Sequence, residues 1–284
     1  MMRPAGAEDV GTLRAFLAAH VETSMFLLGN LEAHGLERAT DPKATRYFLW
    51  EEAGRLSGVF GVTPDGDLMC QMPAIPREAA SAFASALQGH RIVGITGVAG
   101  QVERVLAELA LPRDAWQMDE IEPLYRLELE ALGASAEVIR APGAGDLEML
   151  EGWYLAYHLD TGLATGAQAK AQAARRARAA VGSDRHVLLI EDSRPVALSQ
   201  HTVRAGSAVQ IGGVFVPPPL RGQGLAGRVV AAQLHRLRAE DVETAILFAA
   251  STSAARAYER IGFRHIGHYR VAMLKAPQVL GVAA

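Results

Sequence analysis

The sequence predicts an α/β protein organised as two successive halves, residues 1–133 and 134–284. Three observations carry that expectation. Runs with strand-like alternation and runs with helical spacing follow one another along the whole chain. The order restarts after Gly133-Ala134-Ser135-Ala136. Residues 208–240 read as a strand, a basic glycine-rich loop and a helix, an arrangement that turns backbone amides toward one spot.

In the first half, a short start at Met2 to Pro4 precedes an amphipathic helix from about Glu8, with Val10, Leu13, Phe16 and Leu17 on one face. A second helix is expected through Ser24 to His34. Strands follow at Arg46 to Glu51, Arg55 to Val62 and Leu68 to Gln71, the last two joined by a Pro64-Asp65-Gly66 turn. A helix over Pro76 to Leu87, a strand at Arg91 to Thr96, a helix over Gly100 to Leu109 and strands across Glu120 to Leu132 complete this half.

The second half opens with a strand near Glu137 to Arg140 and a helix over Asp146 to His158. A connector, Leu159 to Gly166, leads to an alanine-rich helix ending near Val181. Strands at His186 to Asp192 and Pro195 to Arg204 precede the key strand, Val209 to Val216. Helix, strand, helix and two strands then run to about Lys275.

The halves share more than their order. Arg3-Pro4-Ala5-Gly6-Ala7-Glu8-Asp9-Val10 aligns without a gap on Arg140-Ala141-Pro142-Gly143-Ala144-Gly145-Asp146-Leu147, and Leu13 falls on Leu150. Val102 to Leu111 has the shape of Ala254 to Phe263. Chance likeness between alanine-rich helices would explain either match alone; both in the same order favour duplication. The copies diverge where Met72-Pro73-Ala74-Ile75-Pro76 carries no glycine, and where Leu106 stands against Tyr258. The first half is therefore expected to keep the scaffold without the anion loop.

In the second half, Pro217, Pro218 and Pro219 end the key strand because they have no N–H for a ladder. Arg221-Gly222-Gln223-Gly224-Leu225-Ala226-Gly227 follows, then Val229, Val230, Leu234 and Leu237 at helical spacing. The unpaired amides of a helix start, together with the missing Cβ atoms, suit a phosphate. A tight turn or a close helix contact is the plain reading of the same glycines. The string also satisfies G-x-G-x-x-G, yet the next strand, Thr244 to Ala250, ends in Ala249-Ala250-Ser251-Thr252 with no carboxylate for a ribose. Too little chain remains for a second mononucleotide unit, so a nicotinamide or flavin site is set aside.

Arg221-Gly222-Gln223-Gly224-Leu225-Ala226 instead resembles the acyl-CoA loop, Q/R-x-x-G-x-G/A, of the GCN5-related N-acetyltransferase (GNAT) superfamily. Ala257-Tyr258-Glu259-Arg260-Ile261-Gly262-Phe263 is similar to a second segment of that family, and the two occur in the right order. The resemblance implies two tandem domains, each a central mixed, mostly antiparallel sheet flanked by helices. The first would be degenerate. It also implies acetyl-CoA, or another acyl-CoA, as co-substrate, and transfer by direct attack of an amine on a small molecule or a protein.

The same resemblance assigns roles. Backbone amides over Gly222 to Gly227 would bind the diphosphate with Arg221 adding charge, and main-chain groups of Val214, Phe215 and Val216 would pair with the pantetheine arm. Val214 and Val216 are ordinary core residues on the plain reading. Tyr258 is the candidate acid for the departing sulfur, since a phenol stays protonated at neutral pH; otherwise it is a packed helix aromatic. Ser251 falls where the family often has a cofactor-binding asparagine. For a general base the candidates are His201, His158 and Asp160, each more commonly structural. The acceptor is expected beside Tyr154, Tyr157, His158 and Asp160.

Composition narrows the alternatives. Half the residues are hydrophobic and the formal net charge is −3, which gives no overall attraction to nucleic acid or to an anionic membrane. Lys170, Arg175, Arg176 and Arg178 read as a solvated helix face, because no aromatics interleave them. The lone Cys70 makes no intrachain disulfide and belongs to no metal-ligand spacing, which suits a reducing cytoplasm. No metal is expected, and no signal peptide or membrane span is read. A homodimer stays open. The rival functions are a non-catalytic acyl-CoA-binding scaffold and, on the same fold, transfer from an aminoacyl-tRNA.

Overall fold

The computed structural model describes residues 1–36, 41–162, 164 and 166–281. The chain divides into two compact units, one of Met1–Glu122 with the chain from Gly267 onward, the other Pro123–Ile266. Among the described residues, no helix is long and apolar enough to cross a membrane.

The first unit contains β1 (Met2–Pro4), α1 (Val10–Ala18), α2 (Val21–His34), β2 (Arg46–Glu52), β3 (Arg55–Val62), β4 (Asp67–Gln71), α3 (Arg77–Ala86), β5 (Arg91–Val98) and α4 (Ala99–Leu109). β6 (Trp116–Glu128) leaves it at Pro123. In the second unit lie β7 (Ile139–Arg140), α5 (Leu147–Thr161), α6 (Gly166–Ala180), β8 (His186–Glu191), β9 (Arg194–Ala205), β10 (Ala208–Phe215), α7 (Leu225–Arg238), β11 (Thr244–Phe248) and α8 (Thr252–Glu259). β12 (Arg264–Val279) carries the chain back into the first.

The strand order in the first unit is β1-β2-β3-β4-β5-β12, with β4 and β5 parallel and the other pairs antiparallel. In the second it is β6-β11-β10-β9-β8-β7, with β10 and β11 parallel and the rest antiparallel. Each half thus has the mixed, mostly antiparallel sheet that was expected. A buried cluster with Phe60, Leu68, Phe83, Val102 and Val105 joins α3 and α4 to the first sheet. In the second, Val229, Val230 and Leu234 of α7 pack on Val209, Ile211 and Leu247, while α5 and α6 pack with Leu188, Leu198 and Phe215.

A single cut at 133 does not describe these units. Residues 124–128 of β6 pair with β11, from Leu124↔Phe248 to Thr244↔Glu128, so this segment belongs with the second unit although it precedes the expected boundary. Conversely, Tyr269 to Met273 pair with β5 from Val98 to Gly94 and belong with the first. Backbone pairing between strands far apart in sequence leaves no trace in periodicity. The two terminal strands expected after Phe263 are one long strand.

The repeat is physical. Arg3 forms a fork onto Asp9, with Nη1 and Nη2 each 2.7 Å from a carboxylate oxygen, and Asp9 also accepts the Gly6 N–H at 2.8 Å. Arg140 does the same to Asp146 at 2.6 and 2.8 Å, and Asp146 accepts the Gly143 N–H at 2.7 Å. This clamp explains why the first helix begins at Val10 rather than Glu8: Asp9 closes a short 3-10 turn, Ala7–Asp9, before the α-helix starts. In the second half α5 runs past His158 to Thr161 and stops at Gly162, whose φ of 69° admits a left-handed cap. Leu163 and Thr165 of the expected connector lie outside the described residues.

The clamp predicts an acid sensitivity. Hydrogen bonding to Arg3, then to the Gly6 amide, pulls the Asp9 carboxyl down to about 2. Its folded value lies below the unfolded value of about 3.9, so its contribution is complete above that pH and is lost as pH falls through about 2. Thermal midpoints of wild type and Asp9→Asn between pH 5 and pH 2 should therefore converge as the medium becomes acid. A constant gap between them would contradict the assignment.

Candidate functional site

The centre of the site is a fault in β10. Gly212 pairs with Gln200 and Phe215 with Leu198, so the strand carries an extra residue against β9. A bulge of this kind shifts the alternation of side chains by one. Before it, Val209 and Ile211 face the α7 side; after it, Val214 and Val216 pack there and Phe215 faces α5 and α6. Gly213 makes the bulge feasible, having φ +56° and a position where a Cβ would meet the Gln200 side chain at 2.6 Å. Pairing with β11 ends at Ile211↔Leu247 although β10 continues to Phe215. β11 itself ends at Phe248, so the main chain of Val214 and Phe215 has no β11 partner beside it.

The loop follows directly. Pro218–Leu220 form a 3-10 turn, and Arg221, Gly222, Gln223 and Gly224 are exposed. Gly222 has φ +82° and Gly224 φ +77°, and a Cβ on either would meet nothing within 4 Å, so these glycines serve backbone conformation and leave open space before them. The first closing bond of α7 is from the Arg228 N–H to the Gly224 carbonyl at 3.2 Å, and no side chain caps the helix. The amides of Leu225, Ala226 and Gly227 therefore have no acceptor within the helix. Leu225 is buried and Ala226 half-buried, so of this stretch the four residues before the helix are the exposed part. Gly227 is different: a Cβ there would lie 3.0 Å from the Ala257 carbonyl, so it is required by the approach of α8.

Several residues that sequence patterns did not single out hold this helix start in place. Arg228 forks onto Glu137 at 2.6 and 2.7 Å and reaches Glu191 at 2.5 Å. Ser199 donates to Gln233 Oε1 at 2.6 Å, and Gln233 donates to the Arg185 carbonyl at 2.9 Å, both side chains fully buried. A glutamine on the apolar face of α7 was the available signal for the second contact. Arg228, a charge on a helix surface, gave none.

Comparison with known proteins bears on this geometry. Residues 159–272 match the family model described as an acetyltransferase (GNAT) domain. They form a GNAT domain. No curated protein matches the chain in sequence. Among solved structures, a Drosophila protein is similar over 96% of this chain and 98% of its own, with 15% identity and a TM-score of 0.62. A tandem GNAT protein from the clavulanic acid biosynthesis pathway aligns over 100% of this chain and 99% of its own at 14% identity and a TM-score of 0.56. A GCN5-related N-acetyltransferase from Kribbella flavida covers 92% and 96% at 16% identity and a TM-score of 0.54. At these identities the likeness shows fold alone, and one of the folds it matches is that of a tandem GNAT protein.

Within the GNAT domain, Tyr258 lies on α8, 5% exposed, its ring 6.1 Å from Phe263. Ser251 caps α8, its hydroxyl accepting the Ala254 N–H at 3.2 Å and lying 3.0 Å from Ser253 Oγ, so its side chain already has a structural task. Arg221 is engaged as well. It donates to the Val216 carbonyl at 3.0 Å and to Asp160 at 2.5 Å, and its guanidinium lies 5.9 Å from the Phe215 ring centre. Asp160 is thus the partner of the loop arginine.

The two histidines fare differently from a base poised near neutrality. Burial, reinforced by Arg185, pushes His201 down to about 4, and its Nδ1 is buried without a partner. His158 is 2% exposed, neither ring nitrogen has a protein partner, and burial followed by Arg176 lowers its basicity.

The expectation of a solvated basic face on α6 holds for Lys170, Arg175 and Arg178, which are exposed, and fails for Arg176. The buried stripe of α6 is Ala169, Ala173, Ala177 and Ala180, and Arg176 stands three residues from Ala173 at its border. Its guanidinium lies 5.8 Å from the Tyr154 ring centre and 5.7 Å from that of Tyr157.

The first unit repeats the parallel pair and then departs from it. After β4, the Met72 N–H is taken by Gln101 Oε1 at 2.8 Å, so a side chain from α4 occupies the amide that follows this half's central strand. Gln101 is 5% exposed. No glycine-rich turn leads into α3, which begins after Pro76.

Proposed function

We propose that the GNAT domain transfers an acyl group, acetyl in the first instance, from acyl-CoA to an amine on a small molecule or a protein, and that the first unit binds no acyl-CoA. The observation that carries this reading is the continuity of the β10 end that lacks a β11 partner, the two left-handed glycines and the uncapped start of α7. Bound there, the co-substrate supplies a thioester carbonyl within reach of an amine.

This chain's residues divide the remaining work. Amides of Leu225, Ala226 and Gly227 hold negative charge at a helix start. Arg221 turns from Asp160 toward that charge, and the main chain of Val214 and Phe215 aligns the extended arm on the open side of β10. Tyr258 gives its phenolic proton to the departing sulfur. Burial lowers the basicity of both His201 and His158, so the amine's proton is assigned to neither, and the amine enters neutral or loses its proton to water.

Titration calorimetry of the full chain with acetyl-CoA tests the donor site, and saturable binding at one site is expected. Tyr258→Phe should keep that affinity while lowering kcat about tenfold or more; unchanged turnover would remove Tyr258 from the reaction. Binding without transfer to any member of a broad amine panel would leave an acyl-CoA-binding scaffold.

A further inference from the structure

Between α5 and α6 lies a set of polar groups that no fold requirement explains. Tyr154 is 1% exposed and its hydroxyl has no partner in the protein. Both ring nitrogens of His158, one helical turn further along, are equally unpartnered. Arg176 faces them from α6 with its Nη1 buried and unpartnered, its guanidinium stacked toward two tyrosine rings. Among the described residues no carboxylate answers this arginine. A half-buried positive charge with one nitrogen enclosed and no counter-ion, beside two fully buried groups without hydrogen-bond partners, is a place an anion would complete.

The cluster also has an address. Tyr154 belongs to the same buried group as Phe215, the last residue of β10, and the Trp153 ring is 5.6 Å from the Phe215 ring. The next turn of α5 carries Asp160, which holds Arg221 of the loop. An anion seated at Arg176 would therefore lie beside the open end of the strand.

We propose that the acceptor is an amine that also carries a carboxylate, and that Arg176, with Tyr154 and His158, binds the carboxylate while the amino group reaches toward the end of β10. The inference rests on the acyl-transfer reading for the role of the amine, and on the unpaired cluster for the carboxylate. A planar guanidinium offers parallel N–H groups that match the two oxygens of a carboxylate, and the phenol adds a third donor. Arg176 is a binding residue in this account and takes no part in proton transfer.

Calorimetry on the full chain decides it, with the standard L-amino acids, the same compounds as carboxamides, and phosphoethanolamine, each with and without CoA. At least one amino acid should bind about tenfold or more tightly than its carboxamide, as loss of a charge-assisted contact implies. Arg176→Leu should abolish that preference, whereas Arg178→Leu, on the exposed side of the same helix, should keep it. If Arg176→Leu does not fold, Arg176→Gln is read in the same way. Carboxamides binding as well as acids, a preference that survives loss of Arg176, tighter binding of phosphoethanolamine, or no binding by any acid would each overturn the proposal. Acetyl-CoA binding without a carboxylate preference would sink this inference alone. Carboxylate binding without acetyl-CoA binding would sink the donor site and leave the anion site standing.

Discussion

Gly224→Val is expected to leave the chain folded and to weaken acetyl-CoA binding by about two orders of magnitude. The backbone at Gly224 has φ +77° and ψ 3°, a left-handed conformation in which a β-branched residue is strained, and relaxing that strain turns the first amides of α7 away from one another. A Cβ there would meet no protein atom within 4 Å, so the new methyl groups would enter the open space assigned to the diphosphate in the proposed donor site. Losing one or two charge-assisted hydrogen bonds at about 1.5–3 kcal/mol each accounts for the factor. Gly227→Ala supplies the contrast: its Cβ would press on the Ala257 carbonyl at 3.0 Å, so the expected result is a lowered thermal midpoint. Calorimetry and thermal unfolding of the two variants separate these roles. Full affinity in Gly224→Val would show that the anion does not sit at this loop.

That contrast marks how far the sequence could be read. Triple proline, glycines and the apolar spacing of α7 placed the loop because each has a local cause. The Arg3 and Arg140 clamps were visible as a gapless repeat, since a guanidinium, a glycine amide and a carboxylate within one short turn are a local arrangement too. Distinguishing Gly224 from Gly227 was beyond it, because one glycine answers to its own φ and the other to a carbonyl thirty residues on. The same holds for Asp160, which looked like a candidate base until Arg221 was found upon it, and for Arg176, whose position three residues from Ala173 was a faint sign of an inward edge. Gln101 on the Met72 amide shows the limit most clearly: the missing glycines announced that the first half differs, and the side chain that fills the position came only from the fold.

Ending the chain at Ile266 is expected to unfold the first unit while residues 123–266 keep their protection from proteolysis. Removing Gly267 onward takes away Ala272, Leu274 and Leu280, all in the buried cluster with Phe60 and Phe83, and Tyr269, 4% exposed against Phe26. It also removes the partner of β5 along Gly94 to Val98 and the fork of Arg270 onto Asp119, with both contacts at 2.6 Å. Truncating a single buried leucine to alanine costs about 2–5 kcal/mol. Losing two leucines, a tyrosine and a strand ladder together is as large as the roughly 5–15 kcal/mol by which a domain is stable. Limited proteolysis with mass mapping would locate the new cuts. If they fell within 134–266 and spared 1–122, the C-terminal strand would belong to the second half, and the boundary near 133 would be restored. Cuts confined to 1–122 would mean that the last strand of the chain serves the half that contains the beginning, so neither half of this duplication can be made whole by dividing the chain at one point.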